Sequence, residues 1–329
     1  MPKKILFSVV FCLLAVFSVH SDLKGNDVQS PLPKVKRVVL IGADGFGAHY
    51  VKWDDLSNLK MMKENGAWTL HMRCVMPSVS AINWATILMG APSEMHGFRE
   101  WGSKKPDIQS IFLTKKGLFP CIFSVLRDQV PQAKSSAVYD WDGIGNLYQK
   151  ADVNEQKCIA FGLSKDDPKA AKMTAEEKDL YLSKLKTEAV TEQALKFLTK
   201  DKTLCFIYFG EPDHVGHKLN WGSQKYQESM IHVDKQVGKI LAHLKKNGMD
   251  QDTIVIFIAD HGGTEKGHGK GIMEHMEVPW ILYGPGVKKG NLNDVIVNYD
   301  NTATIAWILG LKQPQAWRGQ AITSAFDVK

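Results

Sequence analysis

Short, almost wholly apolar runs separated by longer segments of helical character constrain the fold of this 329-residue chain most. The clearest runs are RVVLI (37–41), LCFIYF (204–209), TIVIFI (253–258) and VPWILY (278–283). Each is too short for an amphipathic helix and lacks the polar alternation of a strand with one wet face. The pattern predicts an α/β fold with a mostly parallel central sheet and helices on both faces.

Two segments between these runs carry helix-terminus signals. Thr174 is a candidate N-cap with two glutamates in the turn that follows, which predicts a helix running toward Leu198. Residues 226–246 form a second candidate helix, ended by Gly248. We expect these helices to cover the faces of the sheet.

Residues 1–21 differ in composition from the rest of the chain. Two lysines precede an apolar run over 5–19, and small residues follow up to Ser21. This is the pattern of a secretory signal peptide, and the run is shorter than most membrane-spanning helices, although an uncleaved anchor is the alternative. We therefore predict cleavage near Ser21 and a secreted product, periplasmic or extracellular, with one domain over 22–329 and no membrane association.

The charge balance argues against a nucleic-acid partner. The formal net charge is +6 and falls to +4 without the two lysines of the leader. Basic residues are scattered, and stretches such as 165–186 mix both signs, as on a solvated helix face. The sequence indicates no nucleic-acid binding platform.

The cysteines leave their pairing open. Four follow the leader, at Cys74, Cys121, Cys158 and Cys205, and outside the cytoplasm they can pair in three ways if all are bonded. None lies in a CxxC spacing. Cys205 lies inside LCFIYF, which favours a small buried apolar residue over a bridge or a ligand.

Acidic and histidine side chains directly follow three of the apolar runs. Asp44 follows RVVLI, Asp213 and His217 follow LCFIYF, and Asp260 and His261 follow TIVIFI. Because the carboxyl ends of parallel strands meet at one edge of a sheet, we expect these side chains to converge. Crowded carboxylates are costly to desolvate unless a cation neutralises them, and Asp with His suits zinc or a similar divalent ion. One such cluster alone is typical of a turn, but three together predict a metal site with ligands enough for two ions.

A serine lies at the start of another helix-like segment. That segment covers 81–89 and closes at Gly90, so the oxygen of Ser80 can be exposed beside free backbone N–H groups that favour an anion. Helix capping explains Ser80 equally well, and Ser78 can serve either role. The GxSxG elbow is absent, which disfavours an α/β-hydrolase triad.

Taken in order, these motifs resemble the alkaline phosphatase superfamily, and within it the type I phosphodiesterase / nucleotide pyrophosphatase group. The likeness covers about 37–290 and carries an Asp after the first strand, PxxSxxN at 77–83, EPDxxGH at 211–217, DHG at 260–262, GHG at 267–269 and GP at 284–285. The resemblance implies two zinc ions, or another divalent metal. It implies one ion held by Asp44, Ser80, Asp260 and His261, and the other by Asp213, His217 and His268, with His275 as the competing third ligand.

The same resemblance implies hydrolysis of a small phosphoric ester through a covalent intermediate on Ser80, with Asn83 at the substrate. The chain departs from the group where a phosphate-binding Asn is usual, because Trp101 stands at that position, and Arg99 is near enough to contact phosphate instead. A phosphomonoesterase, a sulfate-ester hydrolase or a non-catalytic anion-binding protein on this scaffold therefore stays open, although the C/S-x-P-x-R sequence of sulfatases is absent. The aromatic residues available to stack on a substrate ring, or simply to pack, are Phe98, Trp101, Trp141 and Tyr148.

Overall fold

The computed structural model describes residues 30–160 and 167–328, which contain one eight-stranded sheet. The expected signal peptide, residues 1–21, lies outside the described residues. The strands are β1 (Arg37–Ala43), β2 (Ala67–Arg73), β3 (Lys134–Tyr139), β4 (Glu155–Cys158), β5 (Lys202–Phe209), β6 (Thr253–Ile258), β7 (Glu277–Tyr283) and β8 (Gly290–Asn291). Their order across the sheet is β4-β3-β5-β1-β6-β7-β2-β8.

Most neighbouring strands run parallel, as predicted. Strands β4, β3, β5, β1 and β6 form a continuous parallel block, whereas β7 pairs antiparallel with both β6 and β2. The run VPWILY is therefore a strand, but not one of the parallel block. An antiparallel strand buried on both faces has the same apolar composition as a parallel one, so composition alone does not show its direction.

The helices pack in two groups. The first comprises α1 (Ser57–Glu64), α5 (Ala175–Phe197), α6 (Glu211–Leu219) and α7 (Gln224–Lys246), and the second comprises α2 (Ser80–Met89), α3 (Ser93–His96), α4 (Ile122–Gln129) and α9 (Asp300–Ile308). A short helix, α8 (Met273–Met276), precedes β7. The predicted mostly parallel sheet with helices on both faces is confirmed. No helix of the described residues is long and apolar enough to cross a membrane.

The helix termini agree with their sequence signals. Thr174 caps α5, because its hydroxyl accepts the N–H of Glu177 at 3.2 Å while the Glu177 carboxylate accepts the Thr174 N–H at 2.7 Å. Helix α7 ends at Lys246 and is followed by Gly248 at a positive φ of 63°. Cys205 is buried within β5, and all four cysteines after the leader are free thiols.

Packing of α2 on the sheet places Ser80 beside the end of β1. Trp84 of α2 contacts Phe206 and Tyr208 of β5, with ring centroids 5.9 and 5.2 Å apart. A Cβ at Gly42 of β1 would lie 2.4 Å from the Trp84 ring, so only glycine leaves room for the indole. The first turn of α2 is therefore fixed at the carboxyl edge of the sheet.

His96, at the end of α3, is a fully buried titratable group away from this edge. Its Nδ1 accepts the Phe98 N–H at 3.2 Å and its Nε2 lies 3.1 Å from the Thr86 hydroxyl, which a neutral ring satisfies. Burial lowers the pKa of His96 from 6.5 to about 3. Between these two values the unfolded chain binds a proton that the folded chain does not, so stability should fall as the pH is lowered.

We expect His96→Gln to remove this acid sensitivity. Between pH 7 and pH 5 the parent should lose about 2 kcal/mol more of its unfolding free energy than the variant, because glutamine does not titrate. Urea unfolding of both proteins at the two pH values measures the difference. Equal losses in parent and variant would contradict the prediction.

Candidate metal centre and active site

The residues that follow β1, β5 and β6 come together at one edge of the sheet. The Asp213 N–H donates to the Asp44 carbonyl at 3.0 Å, and the Gly45 N–H donates to Asp260 Oδ1 at 3.0 Å. Gly45 has a φ of 64°, and a Cβ there would lie 2.8 Å from the Asp213 side chain. The three carboxyl groups thus approach one another because the main chain between them is tightly packed.

Three histidines present the same ring nitrogen to this edge. In His217, His261 and His268, Nδ1 lies 2.9, 2.9 and 2.8 Å from a backbone carbonyl oxygen. A ring that donates its Nδ1–H to a carbonyl leaves the Nε2 lone pair available for a metal ion. The rings of His261 and His268 also stack, with centroids 3.8 Å apart.

The donor atoms of these residues fall into two ligand clusters, each with all its atoms within 4.8 Å of one another. Asp213, His217 and His268 form the first cluster, and Asp44, Asp213 and His261 form the second. Two further predicted ligands lie against the second cluster. The Ser80 hydroxyl lies 3.3 Å from Asp44 Oδ1 and 3.2 Å from His261 Nε2, and Asp260 Oδ2 lies 3.3 Å from the same nitrogen. All seven predicted ligand residues therefore gather here, with Asp213 in reach of both clusters.

The electrostatics of the site fit divalent cations. Burial raises the pKa of Asp44, and burial with the charge of Asp44 raises the pKa of Asp213 and Asp260 well above the usual range. Burial also lowers the pKa of His261 and His268 to about 3, so both rings are neutral. Asp213 Oδ1 and Asp260 Oδ2 are buried without a hydrogen-bond donor among the described residues. Crowded carboxylates with orphaned oxygens beside neutral imidazoles are the donor set that a divalent ion satisfies.

Two aromatic side chains hold Asp44 in place. Its Oδ2 accepts the Tyr208 hydroxyl at 2.5 Å and the Trp84 indole N–H at 2.9 Å, which leaves Oδ1 facing Ser80. In the sequence Tyr208 belongs to an apolar strand and Trp84 to a helix-like segment, so neither was predicted to contact Asp44. The feature that indicates such contacts is that a buried Tyr or Trp needs a hydrogen-bond partner for its polar atom.

Ser80 is the first residue of α2, and its hydroxyl does not cap that helix. The N-cap is Val79, and no side chain in the described part of the protein caps the start of α2. Ser78 has a different function in the fold, because its hydroxyl donates to the Lys270 carbonyl at 3.0 Å and accepts the Gly269 N–H at 3.1 Å. Ser78 thus fastens the loop that carries His268.

His268, and not His275, comes to the first cluster. His268 Nε2 lies 3.6 Å from Asp213 Oδ1 and 3.1 Å from His217 Nε2. The buried His275 ring instead contacts the Thr264 hydroxyl at 2.8 Å and accepts the Lys270 N–H at 3.1 Å. Both nitrogens of His275 are therefore engaged within its own loop.

Two of the three expected substrate contacts lie away from the site. Asn83 is fully buried, and its carboxamide bonds to backbone groups of 75, 77 and 79, because it joins the start of α2 to the preceding turn. Arg99 is exposed and does not line the site cavity. Trp101 does line this cavity. Asn83 thus occupies a structural position and Arg99 a surface position outside the cavity.

The cavity is lined by more than the ligand residues. It has a volume of about 680 Å³, and Ser80 is among its lining residues. Trp101, Trp141 and three residues of α5, Leu182, Ser183 and Lys186, also line it. Of the four aromatic residues considered from sequence, Phe98 and Tyr148 are buried in the core instead.

A model of the type I phosphodiesterase / nucleotide pyrophosphatase family matches residues 38–275. The chain belongs to this family. The matched region begins in β1 and ends in α8, so it contains Ser80 and every residue of both ligand clusters.

Two curated relatives show how far the family likeness extends. Venom phosphodiesterase 2 of Crotalus adamanteus is 27% identical over 248 residues, which cover 72% of this chain and 27% of the relative. Ectonucleotide pyrophosphatase/phosphodiesterase family member 7 of Mus musculus is 25% identical over 244 residues, 71% of this chain and 52% of the relative. The chain thus spans about a quarter of the length of the first and about half of the second.

A solved structure shows the same fold. Wild-type alkaline phosphatase PafA matches with a TM-score of 0.70 at 12% identity, over 89% of this chain and 99% of PafA. The alkaline phosphatase-like fold expected from the motifs is confirmed.

Proposed function

We propose that the chain is a zinc-dependent hydrolase of phosphoric diesters, of the phosphodiesterase / nucleotide pyrophosphatase type, in which Ser80 is the nucleophile. One observation carries this proposal above the others. The Ser80 hydroxyl lies at the N-terminus of α2 and within 3.3 Å of atoms of the second ligand cluster. The first ligand cluster lies beside it, because the two clusters share Asp213. A nucleophile, an anion-binding helix end and two cation sites are thus adjacent.

The residues around Ser80 divide into two sets that would each hold an ion. Nitrogen and oxygen donors of this kind suit zinc. When bound, such ions stabilise negative charge on the attacking and leaving oxygens of an in-line displacement. One set is the first ligand cluster, Asp213, His217 and His268. The other set lies at the second ligand cluster and consists of Asp44, Ser80, Asp260 and His261.

The chain's own groups account for orientation and for the covalent step. Asp44 Oδ1 accepts the Ser80 hydroxyl proton in a hydrogen bond, and Tyr208 with Trp84 keeps that carboxylate from rotating. Backbone N–H groups in the first turn of α2 would donate to a phosphoryl oxygen of the substrate. Attack by Ser80 Oγ on phosphorus breaks one phosphorus–oxygen ester bond, so a serine phosphodiester forms and one alcohol leaves with the proton lost from the serine hydroxyl. Water then breaks the bond between Ser80 Oγ and phosphorus, which releases the phosphomonoester and restores the serine hydroxyl.

The lining of the cavity favours diesters over monoesters. Besides Ser80 and ligand residues it includes Trp101, Trp141 and Leu182, which would give a second ester substituent a surface to pack on. A phosphomonoesterase or a sulfate-ester hydrolase on the same site is the alternative. We place the enzyme outside the cytoplasm, on the pattern of residues 1–21 and the venom and ectonucleotide names of its relatives.

A panel of chromogenic esters tests the proposal. The purified protein should cleave bis-p-nitrophenyl phosphate and a nucleotide p-nitrophenyl ester with a higher kcat/KM than p-nitrophenyl phosphate, and should leave p-nitrophenyl sulfate almost intact. A preference for the monoester or the sulfate would overturn the diesterase assignment. Binding of two zinc ions without turnover of any ester would favour an anion-binding protein.

Trp101 offers a test of the substrate wall. Its side chain is 68% exposed and lines the cavity, so it can stack on an aromatic substituent. Trp101→Ala should raise KM for a nucleotide ester about fivefold to a hundredfold, because stacking contributes about 1 to 3 kcal/mol per base. KM for a small alkyl ester should change little. Phe112→Ala is the control, because Phe112 is also exposed but lies outside the cavity. An equal KM change for both substrates would remove Trp101 from substrate binding.

A further inference from the structure

Exposed apolar side chains are concentrated in one loop beside the cavity. This loop, residues 97–121, joins α3 to α4. It carries five of the ten large apolar side chains that are exposed in the described part of the chain. Loops of this length without secondary structure are uncommon and usually functional. The five are Trp101 (68% exposed), Ile108 (38%), Ile111 (68%), Phe112 (52%) and Leu113 (44%).

The 97–121 loop is fastened to the body of the protein, so these exposures belong to an ordered conformation. The N–H groups of Asp107 and Ile108 both donate to the Gly97 carbonyl, at 2.7 and 3.2 Å. The Ser110 hydroxyl donates to the His96 carbonyl at 2.8 Å, and the Ile111 N–H donates to residue 95 at 3.0 Å. Gly97 has a φ of 90°, and a Cβ there would lie 2.3 Å from the Ile108 carbonyl oxygen.

The charge of the 97–121 loop is positive. It contains five basic and two acidic residues. Lys116 pairs with Asp152, whereas the other four basic side chains form no ion pair with any described residue. One of the two acids, Asp107, already accepts the Ser103 hydroxyl and the Arg99 N–H, at 2.5 and 2.6 Å. The four unpaired basic residues are Arg99, Lys104, Lys105 and Lys115.

We propose that the 97–121 loop docks the protein on a lipid bilayer that carries anionic headgroups. Apolar side chains at the loop surface would enter the interface while the lysines contact the headgroup phosphates, the combination that gives stable peripheral binding. A second copy of the chain fits less well, because two such loops would place like charges against each other. Trp101 belongs to both the loop and the cavity, so docking brings the cavity mouth to the lipid surface.

This surface departs from the expectation of no membrane association. That expectation rested on cleavage of the apolar leader. Exposure of side chains is a tertiary property, so the sequence alone does not show that the apolar residues Ile111, Phe112 and Leu113 lie at the surface. The docking proposal does not depend on the reaction at Ser80.

Vesicle co-sedimentation tests the docking surface with the full mature chain. We expect the parent to bind vesicles with roughly 30% phosphatidylserine about tenfold or more tightly than pure phosphatidylcholine vesicles, and to release them as salt rises. The double variants Ile111→Asp/Phe112→Asp and Lys104→Glu/Lys105→Glu should each lose about tenfold or more of that binding. Val295→Asp is the matched control, because Val295 is 89% exposed and lies outside the loop.

Each outcome bears on the proposal. Absent binding, equal binding to both lipid compositions, or an equal loss in the Val295 control would overturn it. A dimer seen by light scattering that the loop variants abolish would assign the surface to a second copy instead. An unchanged circular dichroism spectrum and unchanged turnover of a soluble diester would show that the loop variants are folded. If the protein turns over no ester, the circular dichroism spectrum alone provides this control.

Discussion

Ser80→Ala is expected to lower kcat for a phosphodiester by about three orders of magnitude or more. The substitution removes the proposed attacking oxygen and one of the seven proposed ligand groups, and it leaves the other six in place. Loss of a nucleophile in other enzymes has effects of this size, whereas loss of a binding contact raises KM. Steady-state kinetics on bis-p-nitrophenyl phosphate measures the change, and metal analysis of the variant should still find at least one ion per chain.

The structure supplies a matched control for that variant. Ser57 is the first residue of α1, as Ser80 is of α2, but it is exposed, belongs to neither ligand cluster and does not line the cavity. Ser57→Ala should keep kcat within about twofold. Ser78→Ala is unsuitable, because Ser78 anchors the loop of His268, and its loss should weaken metal binding as well.

Stereochemistry distinguishes Ser80 attack from direct attack by water. Two successive in-line displacements retain configuration at a chiral phosphorothioate, whereas one displacement inverts it. Inversion would refute the covalent route. So would a Ser80→Ala enzyme within about tenfold of the parent, a barrier difference of about 1.4 kcal/mol.

Strand ends were the part of the site that sequence could predict. Asp44, Asp213 and Asp260 each follow an apolar run, and the topology of a parallel block brings such positions to one edge whatever the loops do. The structure places β1 between β5 and β6, which makes the three carboxyl groups neighbours. The sequence pattern alone therefore predicts that these three residues, which are far apart in the chain, lie close together.

Side-chain direction was the part that sequence could not predict. Asn83 lies three residues after Ser80 on α2, yet its amide turns inward to the backbone that precedes the helix. Tyr208 and Trp84 read as core residues, and both are, but their polar tips also hold Asp44. The hydrogen-bond partner of each of these side chains depends on which residues pack against it in the folded chain. The spacing of residues along the sequence does not determine that partner.

The zinc content of two variants should distinguish the two ligand clusters. His217 belongs to one cluster, so His217→Ala should lose about one ion per chain. Asp213 is a proposed ligand of that same ion but also lies within reach of the other cluster, so Asp213→Ala should lose that ion and weaken the other site too. Removing a carboxylate from among buried acids also removes the charge that attracts the cation, which makes the Asp213 effect the larger. Elemental analysis of protein purified with zinc gives the stoichiometry directly.

A control for the metal measurement lies on the same helix. His214 of α6 contacts Asp179 at 2.9 Å and belongs to neither ligand cluster, so His214→Ala should keep the parent's zinc content. EDTA should abolish turnover by the parent and added zinc should restore it, because the seven proposed donor groups converge where no lysine or arginine of the described residues pairs with the carboxylates. Full activity in metal-free protein would end the metal hypothesis. Equal zinc content in the Asp213 and His217 variants would instead show that Asp213 serves one site alone, and that the clusters bind their ions independently.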